Sequence, residues 1–154
     1  MTAMKRILIL FAFLTIGTLA KAQESAKIKW HSFEEAVALN QKDPKMLIVD
    51  VYTDWCGWCK KMDKETFTDA TVIEYINKNF YAVKMDAENS QKKFEFKGQE
   101  YTEESMARAM RVSSYPNFVI IDAALENITQ LPGYRTPEVF LKDLGSTIER
   151  FTGK

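Results

Sequence analysis

The only two cysteines of this 154-residue chain stand two residues apart, in Trp55-Cys56-Gly57-Trp58-Cys59-Lys60. Thiols at that spacing can open and close a disulfide between themselves, which is reversible two-electron chemistry. The apolar run Met46–Tyr52 ahead of them reads as a buried strand and the residues from Lys60 onward as a helix, so Cys56 falls at a helix N-terminus. There, unpaired N–H groups and the helix dipole favour a thiolate, and cysteines so placed titrate at about 3.5–7.5 rather than about 8.5. Cys56 is the candidate nucleophile, and Cys59, inside the helix and expected to be the more buried thiol, is the candidate resolving residue. Two other readings stay open: an inert surface disulfide, and a Cu(I) site made of both thiolates and a neighbouring methionine. Structural zinc is poorly served, because it wants four Cys or His ligands and the chain offers two Cys and His31.

Asp50 lies on the apolar strand between Val49 and Val51. Burial there raises the pKa of its carboxyl, which suits it to take and return the proton of Cys59. Trp55 and Trp58 flank the cysteines in a loop with little core to enter, and form a candidate aromatic contact surface for substrates. His31 reads as structural or exposed, Met106 and Met110 as packing residues one helical turn apart, and the cluster from Lys60 to Glu65 as a solvated helix face.

Upstream, Lys5 and Arg6 precede a largely apolar run from Ile7 to Ala20, which ends at Ala20-Lys21-Ala22. That three-part pattern is a secretory signal peptide, expected to span residues 1–22 and to be cleaved before Gln23. Its loss removes three of the 21 basic residues and no acid, leaving 18 against 21 and a net charge of −3. No basic stripe points to nucleic acid. Residues 23–154 suffice for one domain with a full core, and two cysteines are too few for a disulfide-stapled scaffold.

The elements that position the cysteines can be read in order. A short strand is expected at Lys27–Trp30, then a helix opened by the capping box Ser32/Glu35, the strand Met46–Tyr52 and the CxxC helix. Asp69 caps a further helix with Val72, Ile73, Ile76 and Phe80 at helical spacing, and Tyr81–Met85 is strand-like. The polar stretch from Ala87 to Glu104 reads as a long connection with a small hairpin, Phe94 to Tyr101, around Gly98. After it come a short helix around Met106, strands at Asn117–Ile121 and Ile128–Leu131, and a last helix from Thr136-Pro137 with Val139, Phe140, Leu144 and Ile148 expected inside. Alternating elements of this kind predict an α/β fold with a central mixed sheet.

WCGWCK, Asp50 six residues before Cys56, Lys84 on the next strand, Tyr115-Pro116 before a strand and Gly133 after the last one occur together and in this order. With them, from residue 27 to the end, the chain resembles the thioredoxin-fold thiol-disulfide oxidoreductases. The stretch VDVYTDWCGWCKKMDKETFTDATV resembles in particular the C-terminal periplasmic domain of DsbD-type reductases. The resemblance implies a sheet of four to five strands with helices on both faces, and a redox-active Cys56–Cys59 disulfide with no separate cofactor. It implies Asp50 as the proton acceptor, Lys84 as its partner, and a cis Pro116 whose neighbour Tyr115 pairs with an extended substrate beside Trp55, Gly57 and Trp58. The partners it implies are protein disulfides and an upstream thiol donor such as a membrane reductase, met by a monomer in the periplasm. Thioredoxins carry Gly-Pro where this chain has Gly57-Trp58, so a disulfide-forming oxidase or isomerase stands as the alternative to a reductase.

Overall fold

The computed structural model describes residues 27–153, so the expected leader at 1–22 lies outside the described residues. Seven strands and five helices are described: β1 Trp30–His31, α1 Phe33–Lys42, β2 Met46–Tyr52, α2 Gly57–Glu65, α3 Ala70–Asn79, β3 Phe80–Asp86, β4 Lys93–Phe96, β5 Gln99–Thr102, α4 Glu103–Ala109, β6 Asn117–Ile121, β7 Ile128–Pro132 and α5 Pro137–Thr152. Among these residues no helix is long and apolar enough to cross a membrane.

β2 is a continuous apolar run because it is buried on both faces at the centre of a five-stranded sheet of order β1-β3-β2-β6-β7. β1 and β2 run parallel to β3, while β6 is antiparallel to both β2 and β7. On one face Ile48, Phe118 and Ile120 meet Met62 of α2, Val72, Ile73 and Ile76 of α3 and Phe140 and Leu144 of α5. On the other, Leu47, Val49, Val51, Val83 and Val119 meet Phe33 and Ala36 of α1, Met106 of α4 and Phe94 of β4. The thioredoxin-like fold with helices on both faces is the one the motifs implied.

Local chemistry fixes the helix starts. Ser32 and Glu35 form the expected capping box at α1, Asp69 caps α3 through the N–H groups of Thr71 and Val72, and Thr102 with Ser105 forms a second box at α4. The hairpin in the long connection closes through Lys97 and Gly98, both at positive φ, as a two-residue turn requires. Its Phe94 and Phe96 rings lie 5.3 and 5.2 Å from Phe33.

Two local expectations change. The first strand shrinks to Trp30–His31, because the backbone at Lys27 and Lys29 is taken up by the side-chain amide of Asn77 on α3 instead of by a neighbouring strand. Val139 is exposed, since the buried stripe of α5 runs through Phe140, Leu144 and Thr147 and Val139 lies beside it, with Leu141 and Ile148 as partly buried shoulders.

Candidate functional site

Sheet register gathers four loops at one end of the molecule. Val51 near the end of β2 pairs with Asn117 at the start of antiparallel β6, Asn117 pairs with Pro132 at the end of β7, and Tyr52 pairs with Asp86 at the end of β3. The CxxC turn, the loop after β3, Tyr115-Pro116 and the turn at Gly133 therefore emerge side by side.

From β2 the chain turns tightly: the N–H of Cys56 donates to the carbonyl of Thr53 at 3.1 Å. Cys56 is the N-cap of α2, and its Sγ accepts the N–H of Cys59 at 3.1 Å, a role usually filled by a Ser or Asp oxygen. Cys56 and Cys59 are joined in a disulfide. Both are buried, at 4% and 3% exposure, so in the disulfide the two sulfurs are almost equally enclosed, Cys56 Sγ being turned inward onto the first turn of the helix. A Cβ on Gly57 would meet nothing within 4 Å, so the residue leaves the surface beside the disulfide open.

Behind the turn, Asp50 and Lys84 are register partners on β2 and β3, and Lys84 Nζ lies 2.8 Å from Asp50 Oδ2. The Asp50 side chain is only 3% exposed. Its Oδ1 is buried with no hydrogen-bond partner among the described residues. Burial, only partly offset by the Lys84 ammonium, raises the Asp50 pKa from 3.8 to about 6. Burial pulls Lys84 down, but Asp50 and Asp63 outweigh it and hold its pKa above the ordinary value. Asp63 Oδ1, 2.5 Å from the same ammonium, sits on α2 and is half exposed. The rings of Tyr52, Trp30 and Phe67 lie 5.0, 5.1 and 5.7 Å from Nζ and complete its enclosure.

The Tyr115-Pro116 peptide bond is cis. The N–H of Gly133, whose φ of +95° favours glycine, donates to the Pro116 carbonyl at 2.8 Å and ties the two loops together. Trp55 and Trp58 are 67% and 57% exposed, an uncovered aromatic pair on either side of the cysteines. The Trp55 indole donates to Glu88 Oε1 at 3.0 Å and meets Tyr115 edge-on at 5.9 Å. Trp58 lies 5.1 Å from the Tyr134 ring, with Lys61 Nζ over both rings.

The structure thus places Cys56, Cys59, Asp50, Lys84, Trp55, Gly57, Trp58, Tyr115 and Pro116 at one end of the sheet and adds three residues the sequence did not mark: Asp63, Glu88 and Tyr134. Asp63 was within reach, since position i+4 from Cys59 shares its helix face. Nothing local marks Glu88 or Tyr134, whose contacts span 33 residues to Trp55 and 69 to Glu65. His31 is on the edge strand, against Tyr81 and 4.0 Å from Glu35.

A family model described as a thioredoxin-like domain matches residues 33–147. The chain is 23% identical over 108 residues to the disulfide bond reductase DsbH of Chlamydia pneumoniae, covering 70% of this chain and 64% of that protein. It is 27% identical over 135 residues to the thiol:disulfide interchange protein DsbD of Tatumella citrea, covering 86% of this chain and 19% of that protein. It therefore spans less than two thirds of either relative. A solution structure from Bacteroides thetaiotaomicron, provisionally described as a disulphide-isomerase, superposes with a TM-score of 0.64 at 30% identity over 82% of this chain and 97% of that one. Fold, disulfide-bonded CxxC and matched span agree, and the chain belongs to the thioredoxin-like family of disulfide oxidoreductases.

Proposed function

We propose that the protein is an exported thiol-disulfide oxidoreductase that reduces protein disulfides, or relays electrons to them, through Cys56 and Cys59. The observation that carries this reading is the capping sulfur: Cys56 Sγ already accepts the N–H of Cys59 at the start of α2, so a thiolate formed there is stabilised in place. In the reduced protein the Cys56 thiolate attacks one sulfur of the substrate disulfide and bonds to it, the substrate S–S bond breaks, and the other sulfur leaves as a thiolate. Cys59 gives its proton to Asp50, directly or through a water, and its thiolate attacks Cys56 Sγ. The second substrate thiolate leaves and the Cys56–Cys59 disulfide remains, two electrons having passed to the substrate. An acceptor with a pKa of about 6 is matched to a proton that must move both ways near neutral pH. Lys84 limits how far burial raises that pKa.

The reductive direction is supported by the name of the DsbH relative, a disulfide bond reductase, and export by the leader pattern of residues 1–22. The compartment is then the periplasm. The substrates are proteins carrying disulfides, the donor is an upstream dithiol such as a membrane reductase, and the protein works as a monomer with no cofactor beyond its own disulfide. The test is the reduction potential of the pair in defined thiol buffers, read by tryptophan fluorescence. A value near the roughly −270 mV of thioredoxin supports a reductase, and one near the roughly −120 mV of DsbA overturns that direction in favour of an oxidant.

A further inference from the structure

We propose that Glu103, the first residue of α4, is a positioning residue for the reaction: it closes the neck of the β4–β5 hairpin onto the loop after β3, and that loop holds Trp55 in place beside the disulfide. The inference rests on the oxidoreductase reading and adds to it a residue that acts on the substrate surface through another.

The hairpin is an excursion that leaves the main sheet after β3 and returns at α4. It leaves and returns at one point, because the N–H of Glu104 donates to the carbonyl of Asn89 at 3.1 Å. Glu103 fills this junction and is 7% exposed. Its Oε2 accepts the Asn89 amide at 3.1 Å and the N–H of Asp86, at the end of β3, at 3.4 Å. Its Oε1 lies 3.3 Å from the Lys92 ammonium. A carboxylate is seldom so enclosed unless its oxygens are met, and here all three partners belong to the one segment 86–92. The hairpin body has its own anchor in Phe94 and Phe96 against Phe33, so the carboxylate is not what seats it on the core.

The gripped segment carries Glu88. The N–H of Glu88 donates to Asp86 Oδ1 at 3.0 Å and the N–H of Asn89 to the Asp86 carbonyl at 3.1 Å, which makes Asp86–Asn89 a tight turn. Glu103 holds both ends of that turn, and Glu88 stands inside it. From there Glu88 Oε1 accepts the Trp55 indole N–H at 3.0 Å. Trp55 is largely exposed and has Tyr115 as an edge-on neighbour, so with little packing around it the direction of the ring depends on that hydrogen bond. A contact surface fixed before the substrate arrives loses less freedom on binding.

The test follows single-turnover reduction of a cyclic peptide disulfide by the reduced protein, in acid-quenched samples separated by chromatography, with oxidised glutathione as the reference. Glu103→Ala should lower the peptide rate relative to the glutathione rate roughly fivefold, as the loss of one or two hydrogen bonds allows. Trp55→Ala should lower that ratio at least as far, and Glu103→Ala added to it should lower it no further, because the two residues act as one unit. Glu103→Gln keeps an acceptor for Asn89 and should restore the ratio. The Trp55 indole N–H resonance should shift in Glu103→Ala, a change that reduced stability alone does not produce. Where Glu103→Ala does not fold, Asn89→Ala releases the same turn and should give the same pattern. A wild-type ratio in the folded variant, or a loss that multiplies with that of Trp55→Ala, overturns the proposal, the second by making Glu103 a structural brace only. A wild type that reduces neither disulfide overturns the oxidoreductase reading itself.

Discussion

Replacing Asp50 by Asn should change how stability depends on pH. Asp50 has a pKa of about 6 in the folded chain against 3.8 when free, so the folded state holds this proton more tightly than the unfolded state does. Where the folded state binds more protons, stability falls as pH rises. The sign is thus opposite to that of an ordinary salt-bridged aspartate: the cost is absent below about pH 4, grows between pH 4 and 6, and is constant above. Its full size is about 3 kcal/mol, of which roughly half has accrued at pH 5. Lys84 is held above its ordinary value and stays protonated across this range, so it contributes no slope.

Asn keeps the shape and removes the ionisation. Whatever constant offset Asp50→Asn carries through its altered contact with Lys84, the stability difference between variant and wild type should climb by about 3 kcal/mol in favour of the variant from pH 3.5 to pH 7.5. Urea unfolding of both oxidised proteins, followed by circular dichroism at four pH values, reads this directly. Every other carboxylate cancels in the difference. A difference that stays flat within about 1 kcal/mol would refute the claim that Asp50 is a desolvated acid, and with it the assignment of a proton acceptor poised near neutral pH.

Cys56→Ser should abolish disulfide reduction, whereas Cys59→Ser should trap mixed disulfides visible as added mass; repeated turnover by Cys56→Ser would sink the mechanism. Lys84→Met leaves the buried Asp50 carboxylate without its cation, so the loss of stability in urea should reach about 3 kcal/mol at pH 8 and be smaller at pH 5, where Asp50 is protonated. Gly133→Ala forces a Cβ onto a residue at φ +95° and should cost about 1–3 kcal/mol, seen as a lower Tm with the CxxC left intact.

What could be read from the sequence divides by the range of the physics. Helix starts are local: Ser32 with Glu35, Asp69, and Thr136 before Pro137 each announce an N-terminus within four residues, and each is where a helix begins. Buried strands are nearly as local, because a run such as Met46–Tyr52 has no polar face to offer solvent. The edge strand was misjudged because whether Lys27–Lys29 pairs depends on Asn77, some fifty residues away, capturing its backbone. The capping box at Thr102 and Ser105 was missed for a different reason: Ser stands where the usual signature has Glu or Gln.

The site was legible in its chemistry, whereas Tyr115, Pro116 and Gly133 were legible only through the family resemblance and Glu88 and Tyr134 not at all. Asp50, Cys56 and Cys59 lie within ten residues of one another, on a single strand–turn–helix unit whose geometry follows from hydrophobic pattern alone. The other walls arrive because β6 runs antiparallel to β2, which brings the start of β6 and the end of β7 to the CxxC end of the sheet. Were β6 parallel, Tyr115 and Pro116 would open at the far end, and Gly133 would have no carbonyl of Pro116 to hold. Strand direction, which no side chain near Tyr134 encodes, is therefore what turns Tyr134 from a surface aromatic into a neighbour of Trp58. A reader of residues can find the reacting sulfurs of such a protein; the partner each sulfur is offered is decided by topology.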